Sequence, residues 1–123
     1  MNDTILVVED NQTNALILQA MLRKQGYRPH FARDGMEGVS LAESLRPRLV
    51  LMDLQMPRMD GFAATAAIRR ILPDGGPSIV AVTANAAPEV VKACEEAGFA
   101  DVLSKPVDYH ELSATVRRYM AQS

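Results

Sequence analysis

The chain has 123 residues, 48% hydrophobic and 23% charged, which is enough for one domain with a buried core and outside the disordered range. Thirteen basic against fifteen acidic residues leave a net charge of -2, which excludes a general attraction to nucleic acid or anionic membrane. The lone Cys94 excludes a disulfide framework, and no apolar run approaches the ~20 residues that a membrane helix needs.

The N-terminal Met1-Asn2-Asp3-Thr4 lacks the basic start of a signal peptide, so the expectation is a single cytoplasmic domain over residues 1–123. Ile5-Leu6-Val7-Val8 is a continuous apolar run of the kind found in strands buried on both faces. Residues 12–25 have helical spacing, with Gly26 placed to end that helix. Arg28-Pro29-His30-Phe31-Ala32 is a poorer strand whose proline and polar content suit a sheet edge. Residues 35–45 again read as helix, and Leu49-Val50-Leu51-Met52 as a buried strand. Ala64, Ala67, Ile68 and Ile71 stand at i, i+3, i+4, i+7 and predict the apolar face of a third helix. Pro73-Asp74-Gly75-Gly76-Pro77 is a turn signal before the strand Ile79-Val80-Ala81-Val82. Val90, Ala93, Cys94 and Ala97 predict a fourth apolar stripe, ended by Gly98. Ala100-Asp101-Val102-Leu103 is a weaker strand, and Tyr109, Leu112, Val116 and Met120 mark a last helix. Strand and helix thus alternate five times, which argues for an α/β fold with a parallel sheet covered on both faces. The flavodoxin-like strand order 2-1-3-4-5 puts the weak second strand at an edge.

The polar residues that follow the strands carry the functional information. The first run leads to Glu9-Asp10, the third strand to Asp53, the fourth to Thr83, and the fifth to Ser104-Lys105-Pro106. In a parallel sheet these ends share the edge at which such folds bind ligands. Three carboxylates gathered there repel one another, and a hard divalent cation with oxygen ligands relieves the repulsion. Mg²⁺ fits best, because it keeps several waters and takes one or two carboxylates with a phosphate oxygen. Lys105 adds a compact positive charge for a phosphoryl group, and Thr83 a hydroxyl donor. A carboxylate can itself attack phosphorus, and Asp53, alone at the middle strand, is the candidate nucleophile. The loose transition state of phosphoryl transfer asks mainly for positioning and charge stabilisation. Taken singly, each residue has a plainer reading. Asp10-Asn11 and Asp60 can cap helices, Thr83 can be an ordinary strand residue, and Lys105-Pro106 a surface turn. Their joint arrival at one sheet edge favours the chemical reading.

The segments Leu6-Val7-Val8-Glu9-Asp10-Asn11, Leu51 to Gly61, Val82-Thr83-Ala84 and Ser104-Lys105-Pro106 resemble the receiver domain of bacterial response regulators, in order and spacing across essentially the whole chain. The resemblance implies a phosphorylation-controlled module of two-component signalling that catalyses only its own phosphorylation and dephosphorylation. It implies Asp53 as phosphoacceptor. Asp10, Asp53 and the backbone carbonyl of Gln55 would ligate Mg²⁺, with Mn²⁺ a possible substitute, and Glu9 would act through metal-bound water. Thr83 and Lys105 would contact the phosphoryl oxygens, and Lys105-Pro106 would be cis. Gln55 and Asn85 occupy positions that tune how fast the phosphoryl group is lost. The implied donor is a phosphohistidine on a histidine kinase or a histidine phosphotransfer protein, with no direct contact to nucleic acid or membrane. The wording Val8-Glu9-Asp10-Asn11-Gln12-Thr13-Asn14 resembles receivers attached to hybrid histidine kinases, and a free-standing regulator remains the alternative. One departure stands out. Three residues before Lys105 receivers often carry an aromatic ring that turns inward on activation, whereas this chain has Val102, too short and branched for that swing.

Other functions are weaker. A phosphohydrolase with an aspartyl nucleophile usually wants a second acid two residues on, where Gln55 stands. A nucleotide-binding fold would show G-x-x-x-x-G-K-[ST] or G-x-G-x-x-G, and neither occurs. An unphosphorylated protein-binding module is kept open only by Val102. His30 and His110 read as surface residues, Cys94 as a buried thiol, Gly35 to Gly38 as a helix start, and Arg69-Arg70 and Arg117-Arg118 as solvated helix faces.

Overall fold

Five strands and five helices alternate: β1 (Ile5–Val8), α1 (Gln12–Lys24), β2 (His30–Ala32), α2 (Gly35–Leu45), β3 (Leu49–Asp53), α3 (Gly61–Ile71), β4 (Ser78–Thr83), α4 (Pro88–Glu96), β5 (Asp101–Ser104) and α5 (Tyr109–Ala121). The structure is a computed structural model and describes residues 2–121. All strand pairings are parallel, and the order is β2-β1-β3-β4-β5, as the alternation predicts.

Side chains of successive strand residues point to opposite faces, and this splits the core in two. Leu6, Val8, Val50, Met52, Ile79 and Ala81 pack with Ala42 of α2, Ala64 and Ile68 of α3, and Cys94 of α4. Ile5, Val7, Leu49, Leu51, Val80 and Val82 pack with Leu18 and Leu22 of α1 and with Leu112 and Val116 of α5. A strand covered on both faces favours apolar residues, and β1 and β3 are buried throughout, with the acid Asp53 only at the last position of β3. The short β2 lies at the edge with His30 exposed.

Two predicted stripes differ in detail. On α3 the buried face carries Thr65 beside Ala64 and Ile68, while Ile71 is exposed. On α4 only Cys94 is fully buried, and Ala93 and Ala97 face solvent. That helix packs on β5, the last strand of the sheet, so no further strand lies beyond it to cover its outer flank. β5 also begins one residue later than the apolar run, at Asp101.

Helix starts use the expected caps. Asn11, Asp34 and Asp60 accept hydrogen bonds from the N–H groups of Asn14, Glu37 and Ala63. The capping reading therefore holds for Asn11 and Asp60, whereas the cap of α1 is Asn11 and not Asp10. Gly26 and Gly98 sit just past the ends of α1 and α4 at φ 95° and 92°, where a side chain would be strained. The Lys105-Pro106 peptide is cis. His30 and His110 are exposed and Cys94 is buried. Arg69 is no free surface charge: its guanidinium donates to the carbonyls of Pro77 (2.6 Å) and Gly98 (3.2 Å). Among the described residues no helix is long and apolar enough to cross a membrane.

Candidate functional site

Strand register assembles the site. Val8 lies opposite Met52 in the β1–β3 pair, so Glu9 and Asp53, each one residue further on, emerge side by side. Asp53 lies opposite Val82, and Thr83 follows on β4. Thr83 in turn faces Ser104, so Lys105 comes next, and its N–H donates to the Thr83 carbonyl at 2.8 Å. The ends of β1, β3, β4 and β5 thus stand side by side at one edge of the sheet.

Glu9, Asp10 and Asp53 each offer a carboxylate oxygen, all within 4.8 Å of one another. Glu9 and Asp53 are buried at 3% and 4% exposure, whereas Asp10 stands at the rim. The Lys105 ammonium lies 2.9 Å from Glu9 Oε1 and 3.4 Å from Asp53 Oδ1. Backbone N–H groups hold the two buried acids: Asn11 donates to Glu9 Oε2 (3.2 Å) and Gln55 to Asp53 Oδ1 (3.2 Å). Burial raises the Asp53 pKa, and the neighbouring Glu9 raises it further, against the smaller opposing pull of the Gln55 N–H and Lys105. Burial by itself would lower the Lys105 pKa, but contact with Glu9 and Asp53 carries it above the ordinary lysine value. Lys105 is thus a fully charged bridge between two acids. This all-oxygen donor set with a surplus of negative charge fits a hard divalent cation such as Mg²⁺.

The loop behind Asp53 is held tightly. Gly61 donates its N–H to the Leu54 carbonyl at 3.0 Å, and a Cβ there would collide with the Asp53 carbonyl oxygen and with Leu54 Cα. Only glycine allows this approach. The sequence offered Asp60 as a helix cap, but the contact of Gly61 with the Asp53 backbone has no signature in the sequence. The same is true of the Asn11 N–H on Glu9.

Thr83 is buried, and its hydroxyl faces the loop after β4: it donates to the Asn85 carbonyl (3.2 Å) and accepts from the Asn85 N–H (3.0 Å). The Asn85 side chain accepts from the Ala87 N–H at 3.1 Å, which closes the loop on itself. Val102 lies at the back of this region. It is partly buried and lines a cleft between α4 and β5 with Val91, Cys94 and Phe99.

Comparison with known proteins agrees with this geometry. Residues 5–117 match the family profile described as response regulator receiver domain. The chain is 42% identical over 120 residues to hybrid signal transduction histidine kinase G of Dictyostelium discoideum, covering 94% of this chain and 3% of that protein. The receiver domain of sensor histidine kinase PA1611 from Pseudomonas aeruginosa, solved with magnesium coordinated in its active-site cleft, superposes with a TM-score of 0.88 at 38% identity, over 99% of this chain and 100% of that one. The receiver domain of the Saccharomyces cerevisiae response regulator Ssk1, solved together with the histidine phosphotransfer protein Ypd1, superposes at 0.89 with 30% identity, over 96% and 88% of the two chains.

Proposed function

The chain belongs to the response regulator receiver domain family of two-component signalling, and from that premise we propose that residues 1–123 form one cytoplasmic receiver that takes a phosphoryl group onto Asp53. The observation that carries the proposal is the Lys105 ammonium held between Glu9 and Asp53 beside the exposed Asp10.

Glu9, Asp10, Asp53 and the backbone carbonyl of Gln55 are the groups to hold Mg²⁺, or Mn²⁺ in its place. When bound, the cation offsets the charge that gathers on the phosphoryl oxygens during transfer. Asp53 attacks the phosphorus of a phosphohistidine donor. The new P–O bond forms as the P–N bond breaks, and the imidazole leaves with the electron pair. Lys105 neutralises the equatorial oxygens, and its own pairing with Glu9 keeps the ammonium aimed there. Hydrolysis reverses the state: water attacks the same phosphorus and returns a free carboxylate and inorganic phosphate. The protein therefore turns over only its own phosphoryl group.

The switch follows from the Thr83 hydroxyl. In the state described it is tied to Asn85. A phosphoryl dianion on Asp53 offers a stronger, charge-assisted acceptor, so the hydroxyl turns toward it and frees the loop 84–88. Val102 cannot add an aromatic swing, so the change is read out through that loop and α4. Gln55 and Asn85, both polar and uncharged, flank the phosphoryl position and set its lifetime.

A protein donor has a surface to dock on. Leu16 and Ile17 of α1 are exposed at 56% and 45%, and Ile17 shares a small groove with Pro106 and Val107 next to Glu9 and Lys105. The Ypd1–Ssk1 complex supports a histidine phosphotransfer protein, or a histidine kinase, as the phosphodonor. Nucleic acid and membrane have no direct part. The test is labelling from acetyl phosphate: Asp53→Asn abolishes uptake of the acyl-phosphate label, and uptake at the wild-type rate would remove Asp53 as the nucleophile.

A further inference from the structure

The segment between Asp53 and Gly61 is held more tightly than a surface loop needs to be. At its start the Gln55 N–H donates to Asp53 Oδ1 and Met56 is buried in the core, and at its end Asp60 caps α3. Between them the Met59 N–H donates to the Pro57 carbonyl at 2.7 Å across Arg58, whose φ is 69°. A hydrogen bond from residue i+2 to residue i around a positive φ is the rarer, strained form of γ-turn. Glycine would sit at its centre more easily than arginine does. Strain of this kind persists only where the surroundings over-determine it.

The start of α2 supplies that constraint. Gly35 leaves no room for a side chain: a Cβ there would stand 2.7 Å from the Met59 carbonyl oxygen and 2.9 Å from Met59 Cγ. The Arg58 guanidinium lies 3.6 Å from Asp34 Oδ2, while Asp34 Oδ1 caps α2 by accepting the Glu37 N–H at 2.8 Å. One carboxylate thus serves the helix start and the turn together. Arg58 is 75% exposed, so the ion pair alone is weak, and the packing of Met59 on Gly35 carries most of the brace. α2 is itself fixed to the sheet, since Gly38 lies against Val8 with no space for a Cβ and Ala42 is buried. The segment that carries Gln55 is therefore braced by a helix that gives no residue of its own to the site.

We propose that Arg58 and Asp34 are positioning residues for the divalent cation: with Gly35 they hold the segment 55–59 in the conformation in which the Gln55 carbonyl serves as a metal ligand, and so set the metal affinity. The proposal rests on the reading of that carbonyl as a ligand. The strained turn at Arg58 is then a mark of pre-organisation, since the segment is kept in the binding conformation rather than in the one a free loop prefers. Released from the brace, the segment populates that conformation only in part, and the apparent dissociation constant rises by the inverse of the remaining fraction. A fall to about one quarter weakens binding about fourfold. Linkage is reciprocal, so metal bound at Gln55 is felt at Gly35.

The experiment is a Mg²⁺ titration of the isotope-labelled full chain followed by amide NMR, with urea unfolding of each protein in chelator. In the wild type the Gly35 and Arg58 amides shift with the same midpoint as those of Asp53 and Gln55. Arg58→Gly removes the strain and the ion pair together. Its urea midpoint in chelator holds or rises, because relief of the positive φ offsets the added freedom of the unfolded chain, while Mg²⁺ binds about fourfold more weakly. A merely structural residue would not lower affinity while stability holds. Arg58→Lys keeps a cation beside Asp34 and retains the wild-type affinity. Asp34→Asn keeps a side-chain oxygen for the cap and weakens binding by a smaller factor than Arg58→Gly. An Arg58→Gly variant that binds Mg²⁺ as the wild type does, or a Gly35 amide that does not follow the titration, overturns the proposal and leaves the ligand reading standing. A wild type whose Asp53 and Gln55 amides show no saturable shift overturns that reading, and this proposal with it.

Discussion

Replacing Lys105 by methionine keeps the length of the side chain and removes its charge, which leaves Glu9 and Asp53 facing each other without a counter-ion. At an effective dielectric constant near 20, an ammonium 2.9 Å from one carboxylate and 3.4 Å from the other is attracted by about 6 and about 5 kcal/mol. Desolvation of the three groups offsets most of this. Deleting one partner of a buried pair nonetheless costs about 3 to 5 kcal/mol, because the remaining charge is left unpaired. Lys105 retains 19% exposure, so water compensates in part and the low end applies, a loss of about 3 kcal/mol. For a chain of this size that corresponds to a fall of about 12 °C in Tm, which the fold survives. The deficit also depends on metal. A divalent cation supplies the missing positive charge, and without a competing ammonium it stabilises the variant more than the wild type. Thermal unfolding in chelator and in millimolar Mg²⁺ measures both terms. A loss under about 0.5 kcal/mol, or one of equal size with and without Mg²⁺, would refute the reasoning by showing Lys105 to be an ordinary surface turn residue.

Two further perturbations follow from the same geometry. Asp53→Asn stabilises the metal-free protein at neutral pH. The native Asp53 pKa lies above the ordinary 3.8, so the unfolded chain releases this proton first, and wild-type stability falls as pH rises through the window above 3.8. The variant lacks that fall: its Tm advantage is absent well below pH 3.8 and complete at neutral pH, and a variant no more stable than wild type at neutral pH would contradict the sign. Gly61→Ala drives a methyl group into the Asp53 carbonyl and the Leu54 backbone and costs about 2 kcal/mol or more in urea unfolding. Unchanged stability would mean that the loop is looser than the contact requires.

The sheet was readable because its physics is simple. Strands covered on both faces favour apolar residues, so Ile5–Val8, Leu49–Met52 and Ile79–Val82 stand out as unbroken runs, and His30 marks an edge. The acids and the lysine were readable for a related reason: they break those runs at the ends that share one edge. Side-chain orientation was not. Nothing in Thr83 or Asn85 as residue types says that the hydroxyl bonds the Asn85 backbone, since a threonine hydroxyl on a rotatable bond can take any neighbouring backbone group. Helical spacing overstated the cover of α4, because periodicity reports which residues share a face and not whether anything lies against it. Arg69 looked like half of a solvated pair, and its two backbone acceptors, Pro77 and Gly98, come from loops that spacing cannot bring to it. The brace of Met59 on Gly35 was hidden likewise, since the two come from segments whose closeness only the fold creates.

The most direct test of the central claim is intact-mass measurement of the wild-type chain after incubation with acetyl phosphate, with Mg²⁺ and with excess chelator, followed by peptide mapping. The account predicts the gain of one phosphoryl group, located on Asp53, present with Mg²⁺ and absent with chelator. A mass gain that is indifferent to the metal, or that maps to any other residue, would contradict it.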